Sequence, residues 1–407
     1  MSDIKILREL AAQYALAAAD ARNDENLVLH RNVNDLKMTR PVVLIDEHPW
    51  HDLNHDGSLT LRCEDEFLRE YERLFRRLLY KWRYMPADMV LPRSVPVHKI
   101  IRSTPVGIEV DEKTLAEDNG NHIVAHEYHD ILSDFPDLDR IKLPEYTYDE
   151  AETKRRFHLI GDILGDILPV RISGHNVSIY MWDWISQLRG VTALLEDLVV
   201  RPDFSHACAK KFAELNAHTF KSFERLGAIE AAPMYVHCTP ATASALPSGD
   251  YDGANVTMKD TWGRGTAQIF GSISPAMHDE FDIEYEKELL KDFGLVYYGC
   301  CEPLHNKIDI VEKIPNLRKI GVTPWADVDV AAERIGKKYV LSSKPNPAHA
   351  AHFDRDTVRS EITQILDACR RNGCAVDITL KDISSGGGSP KNLIEWEKTV
   401  MELVRSW

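Results

Sequence analysis

The chain has 407 residues, which is two or three domains at about 150 residues each, or one α/β barrel with additions. Its 64 acidic and 49 basic residues give a formal charge of −15, which argues against a bulk nucleic-acid binder and against an anionic membrane surface. Hydrophobic residues at 44% and charged residues at 28% suit a large globular core and exclude disorder, and no apolar run nears the about 20 residues of a membrane span.

Met1-Ser2-Asp3-Ile4-Lys5 leads into an amphipathic helix over 3–22 rather than a signal peptide, with Leu7, Leu10 and Tyr14 at helical spacing. Pro41-Val42-Val43-Leu44-Ile45 is a short, continuous apolar run, as in a buried strand. Residues 64–84 are the clearest helix: Phe67, Tyr71, Leu74, Leu78 and Trp82 share a stripe, and Pro86 lies just past its end. A further strand is expected near His122–Ile131. The second half then alternates. Strands are expected at Leu168–Ile172, Met234–His237, Leu295–Tyr298, Lys319–Val322, Tyr339–Ser342 and Val376–Leu380. Helices are expected over 154–165, 192–198, 205–226, 277–293, 327–335, 355–372 and 391–404. Strand–helix alternation implies a parallel sheet, because a parallel neighbour needs a crossover. About eight such units predict a (β/α)8 TIM barrel from residue 40 to 407, with an N-terminal helical extension over 1–39 and inserted helices. In that fold the chemistry belongs at the carboxyl ends of the strands.

The densest local signal follows the Leu295–Tyr298 run: Gly299-Cys300-Cys301-Glu302-Pro303-Leu304-His305. Zinc takes thiolate, imidazole and carboxylate ligands, so Cys300, Cys301 and His305 are candidate metal ligands and Glu302 a candidate acid. Adjacent side chains diverge from an extended backbone, so both thiols do not easily bind one ion. His237-Cys238 ends another expected strand, where the pair could ligate a metal or line the pocket, and His237 is a candidate substrate contact. His126-Glu127-Tyr128-His129 spaces its histidines three apart and is not the zincin pattern. Lys381 and Asp382 follow the last expected strand, where a barrel places catalytic groups; the glycines after them read as a mobile loop. Gly263-Arg264-Gly265 shows no preceding strand and lacks a third glycine, so it is not a dinucleotide fingerprint. His48, Trp50, Trp182 and Trp262 are candidates for substrate-pocket walls. Seven cysteines in a long chain, with 17 histidines, suggest a cytoplasmic protein with free thiols or metal ligands.

Two segments carry a resemblance. Thr266-Ala267-Gln268-Ile269-Phe270, with Ser274-Pro275-Ala276-Met277-His278-Asp279-Glu280-Phe281, is similar to a segment of the uroporphyrinogen decarboxylase superfamily. Leu188-Arg189-Gly190, Leu194-Leu195-Glu196-Asp197-Leu198 and Arg201-Pro202 resemble another segment of it. Such segments follow the superfamily's order along the chain. The resemblance spans roughly residues 40–405 and implies a (β/α)8 barrel, with a homodimer expected from the family's decarboxylases. The substrate-binding arginines of true uroporphyrinogen decarboxylases are missing. Asp46-Glu47-His48-Pro49-Trp50 stands in their place, and its acids would repel a polycarboxylate.

The corrinoid-dependent methyltransferases form the other branch. Their zinc site resembles His-x-Cys at one strand end and a Cys near the last strand; here Tyr298-Gly299-Cys300 and Lys381 or Asp382 align there. Gly299-Cys300-Cys301-Glu302-Pro303-Leu304 resembles the O-demethylase methyltransferase components of anaerobes. What this implies is zinc as cofactor and methyl transfer from a small donor, a methoxylated aromatic first, to a corrinoid carried by a partner protein. Asp382, or protonated Glu302, would supply a proton. Two rivals stand beside it: a metal-free decarboxylase of another small acid, with Asp46 or Asp382 at the scissile group, and a non-catalytic barrel that binds a small molecule.

Overall fold

A computed structural model describes residues 2–114 and 125–407. Its centre is a six-stranded, wholly parallel sheet. The spatial order is Val42–Ile45, Ala375–Leu380, Val340–Ser343, Leu317–Val322, Leu295–Tyr298 and Trp262–Gly265. Every residue of the strands Val42–Ile45 and Leu295–Tyr298 is buried, which is why both read as continuous apolar runs.

The first strand lies beside the last, with Val42 opposite Asp377 and Ile45 opposite Leu380. Because all six strands are parallel, their carboxyl ends gather on one rim. The ladder runs on past the strands there: Asp46 N–H donates to Leu380 O at 2.9 Å, and Gly299 N–H to Gly265 O at 2.9 Å.

Helices cover the sheet, and their ends follow local chemistry. The expected 64–84 helix is Glu66–Tyr84, started by Asp65, whose carboxylate accepts the Leu68 N–H at 2.9 Å. The Arg355–Asn372 helix is capped by Asp354 and stopped by Gly373 at φ +69°. The helix expected over 3–22 is Asp3–Ala18 and packs on Glu66–Tyr84 through Leu7, Leu10, Tyr14, Tyr71 and Phe75, a core separate from the main one. No helix among the described residues is long and apolar enough to cross a membrane.

Among the described residues six strands, rather than eight, share the ladder. Trp262–Gly265 is a strand that the sequence reading passes over, because two glycines interrupt its apolar run. The Met234–His237 run shortens to Tyr235–Val236, a two-residue antiparallel pair with Thr239–Pro240. Val170–Ser173 pairs with Val95–His98 outside the main sheet. The expected strand near His122–Ile131 is only His126–Tyr128, antiparallel to Glu112–Thr114; residues 122–124 lie outside the described ones. There His126 and His129 form surface pairs with Glu112 and Asp111, not a site.

Inside the sheet sits a buried polar layer. Lys319 Nζ lies 2.9 Å from Asp377 and donates to Thr239 and to Pro240 O. Asp377 also accepts from Ser342 at 2.7 Å, and Lys344 Nζ donates to Cys238 O at 2.5 Å. Burial pulls the Lys319 ammonium down to about 8 against the pull of Asp377.

Candidate active site at the carboxyl rim

Four chain segments meet at the rim: Asp46–Glu47, His237–Cys238, Cys300–Glu302 and Lys381–Asp382. Three of them hold a non-glycine residue in the left-handed backbone region: Glu47 at φ 50°, Cys238 at φ 53° and Asp382 at φ 55°. Gly299 joins them at φ 111°; a Cβ there would lie 2.9 Å from Leu304 Cδ1 and 3.2 Å from Gly321 N. Such conformations are costly and persist only when the surroundings enforce them, so a cluster of them at one rim makes it a candidate site.

Two groups of reactive side chains share this rim. In the first, Cys300 Sγ and Cys301 Sγ lie 3.7 Å apart. Lys381 Nζ donates to both, at 3.3 and 3.1 Å, and pairs with Asp382 at 2.7 Å. Cys301 Sγ also lies 3.4 Å from Asp382 Oδ2, and His237 Nε2 lies 3.4 Å from Cys300 Sγ. The hydrogen bond from Cys301 brings the Cys300 thiol down to about 3, helped against burial by His237, Lys381 and Arg264. That thiolate in turn pushes Cys301 up, so the pair carries one negative charge, on Cys300. Burial works against the Lys381 charge, but the thiolate and Asp382 more than offset it and hold the ammonium protonated.

The other group is a ligand set. Glu47, His237 and Cys238 each offer one donor atom, and the three atoms lie within 4.8 Å of one another. Glu47 is also tied to the thiol group, since its carboxylate accepts the Asp382 N–H at 3.0 Å. Burial, then Asp382, raises the Glu47 carboxyl. Burial also raises Asp382, but its hydrogen bond with Lys381 leads the opposing contributions that bring it below the ordinary range. A proton shared by this pair therefore rests on Glu47.

The structure thus brings together Cys300, Cys301, His237, Lys381 and Asp382 from the residues singled out in sequence. Glu302 lies beneath them and is structural: its carboxylate accepts from Thr266 Oγ1, Ala267 N and Cys300 N, which fixes the cysteine loop. Burial raises its carboxyl above the ordinary range. His305 makes no hydrogen bond to either thiol, and its Nδ1 is buried without a partner. Trp182 and Trp262 are core residues instead of pocket walls. Both are 1% exposed, and their indole N–H groups donate to Phe281 O and Ala241 O. His48 stacks on Trp50 at 4.8 Å, and Trp50 takes the Arg77 guanidinium over its ring, so this pair lies close to the rim end of the first strand. The glycine loop is tied at its start to Asp52, which accepts from Gly386 N–H and Ser385 Oγ.

Sequence reasoning takes His237 and Cys238 together as possible metal ligands but misses Glu47 as their partner. In sequence Glu47 stands only within the stretch that replaces the lost arginines. The signal that would have found it is its place just past the first strand, on the same rim as His237-Cys238.

No protein-family model and no curated protein matches the chain. Among solved structures, a methyltransferase from Methanosarcina mazei is similar, with a TM-score of 0.50 over 93% of this chain and 97% of that one, at 12% identity. At that identity the likeness is one of fold: this α/β chain, built on a parallel sheet, shares its architecture with that methyltransferase across nearly its whole length.

Proposed function

We propose that the chain is a zinc-dependent methyltransferase that moves a methyl group from a small methylated donor to a corrinoid carried by a partner protein. The observation that carries this reading is the Glu47–His237–Cys238 donor set beside the Cys300 thiolate. One carboxylate, one imidazole and one thiol are a zinc-type set that leaves a fourth position for substrate, and all three stand at a strand-end rim. Zinc held there would supply Lewis-acid stabilisation of the heteroatom that loses its methyl group.

The chain's own residues do the rest. Glu47 gives up its shared proton when it binds a cation, so metal affinity rises with pH. Lys381 neutralises the Cys300 thiolate and orients Asp382. Asp382, ionised beside Lys381 and half exposed at the rim, would pass a proton taken from solvent to the departing oxygen or sulfur. His237 links the two groups, so its ring orientation is set from both sides.

The (β/α)8 barrel belongs to this reading, with residues 1–39 as its extension. Both edges of the six-stranded sheet are engaged by intervening segments. Asp88 N–H donates to Val43 O at 3.0 Å and its carboxylate accepts Val43 N–H, while Ile179 N–H donates to Arg264 O at 2.7 Å. Between those edges His175 and Ile229 form a parallel bridge, and Val90 N–H donates to Tyr235 Oη. These links are what supports reading the open sheet as part of a barrel. The donor class favoured is a methoxylated aromatic, and the location cytoplasmic.

The test is elemental analysis of untagged protein, then methyl transfer to cobalt(I) corrinoid followed by its visible spectrum. About one zinc per chain, lost in Cys238→Ser together with transfer, is the expected result. A metal-free protein that instead releases carbon dioxide from a small acid would overturn it in favour of a decarboxylase.

A further inference from the structure

Methyl transfer leaves Cys301 without a task. Side chains next to each other ordinarily point apart, yet the Cys300 and Cys301 sulfurs lie 3.7 Å from one another, in contact. Three features hold them so. The chain bends through Cys300–Glu302. Gly299 enters the bend at φ 111°, where a Cβ would strike Leu304. The buried Glu302 carboxylate accepts the Cys300 N–H at 3.0 Å and is itself held by Thr266 and Ala267.

The two thiols differ in access. Cys300 is 3% exposed, whereas Cys301 is half-buried and is the sulfur that solvent meets first. Lys381 Nζ reaches both, and lies closer to Cys301 at 3.1 Å than to Cys300 at 3.3 Å. One negative charge can therefore sit on either sulfur beside the same ammonium, and the proton they share can pass between them. A thiolate is the nucleophile toward a peroxide, and one with a second thiol in contact goes on to a disulfide. Cys369 and Cys374 make the contrast: both are at most 2% exposed, and Cys374 Sγ donates to Ala332 O at 3.2 Å.

We infer that Cys300 and Cys301 form a redox couple that reduces a hydroperoxide and closes to a vicinal disulfide. The Cys301 thiolate, its proton passed to Cys300, attacks the terminal peroxide oxygen. The O–O bond breaks, and Cys301 becomes a sulfenic acid. The departing alkoxide takes a proton from solvent and leaves as the alcohol, or as water where the peroxide is hydrogen peroxide. Cys300 then attacks Cys301 Sγ. The S–S bond forms, the S–O bond breaks, and hydroxide leaves as water with the Cys300 proton. Two electrons pass from the sulfurs to the peroxide, one proton enters from solvent, and the negative charge of the pair is lost. Lys381 is left with Asp382 as its anionic partner. A disulfide between neighbours closes a small, strained ring, so a thiol reductant opens it readily. This chemistry goes beyond methyl transfer and does not depend on it.

The test treats folded protein, zinc-loaded and chelator-treated alike, with hydrogen peroxide and then alkylates the remaining thiols under denaturing conditions. The readout is the mass of the tryptic peptide Asp292–Lys307, which holds Cys300 and Cys301 and no other cysteine. The expected product has lost two hydrogens and takes no alkyl group, and dithiothreitol restores both thiols. It should form at least about tenfold faster than any oxidation of the enclosed Cys369 and Cys374. Cys300→Ser, or Cys300→Ala if the first fails to fold, should stop at a sulfenic acid on Cys301 that dimedone traps. Three results overturn the inference: a wild-type peptide that keeps both thiols, oxidation no faster than at Cys369 and Cys374, or a product that dithiothreitol does not reverse. A disulfide in protein that transfers no methyl group would sink the functional reading alone. Methyl transfer by protein whose Asp292–Lys307 peptide resists peroxide would sink only this inference.

Discussion

Two cysteine-bearing loops face each other across the rim, and they handle their thiols in opposite ways. The Gly299–Glu302 loop places two thiols beside a lysine, so its negative charge is neutralised by a protein cation. The His237–Cys238 loop has one thiol whose neighbours are an imidazole and a carboxylate, all potential donors to the same ion. The cysteine pair is the denser signal in sequence, yet it is electrostatically complete. The His237–Cys238 pair is sparser and chemically incomplete. A ligand site is recognised by what its donors lack, not by how many reactive residues stand in a row.

The sharpest way to break this contrast is to remove one thiol from each loop. Cys238→Ser should weaken zinc binding by at least about 100-fold, whereas Cys301→Ser should leave the zinc stoichiometry unchanged. Equal loss in both would merge the two groups into one site. Next in size is the thiolate. In metal-free protein, the ultraviolet difference between wild type and Cys300→Ser should show a thiolate at neutral pH. A thiol whose pKa is lowered is ionised above that value, so the signal should persist on acidification to about pH 3. Lys381→Met should move its midpoint upward by about 1–3 units.

Backbone changes give smaller effects. Gly299→Ala forces a side chain into φ 111° and against Leu304, and should cost about 1–3 kcal/mol in chemical denaturation. Smallest and opposite in sign is Glu47→Gly. Glycine adopts φ 50° freely, so metal-free protein should gain up to about 1 kcal/mol while losing its metal affinity. A loss of stability would mean that the Glu47–Asp382 hydrogen bond outweighs the strain.

Much of the fold can be read from periodicity. Leu295–Tyr298 is legible to the residue, and four more strands of the sheet to within two. Those strands lie in a sheet covered on both faces and so write themselves as apolar runs. Trp262–Gly265 is not legible, because its burial is achieved with two glycines and an arginine. The rim is half legible. Lys381, Asp382, Cys300 and Cys301 follow strands whose ends are clear. Glu47 and Cys238 are not legible as partners, since nothing local records that residues 47 and 238 meet. Trp182 and Trp262 show the converse limit: a tryptophan is the same letter in sequence whether it walls a pocket or donates its N–H inside the core.

The first strand pairs with the last, and the Glu47–Asp382 contact spans 335 positions. On the ribosome, then, Glu47 emerges 335 residues before its partner exists. Pairings this remote form late and slowly. A nascent or truncated chain that stops short of the Ala375–Leu380 strand would lack Lys381 and Asp382, leave the edge of Val42–Ile45 bare, and leave Cys300 without its counter-ion. Synthesis of the Ala375–Leu380 strand and the two residues after it is therefore the event that completes the site.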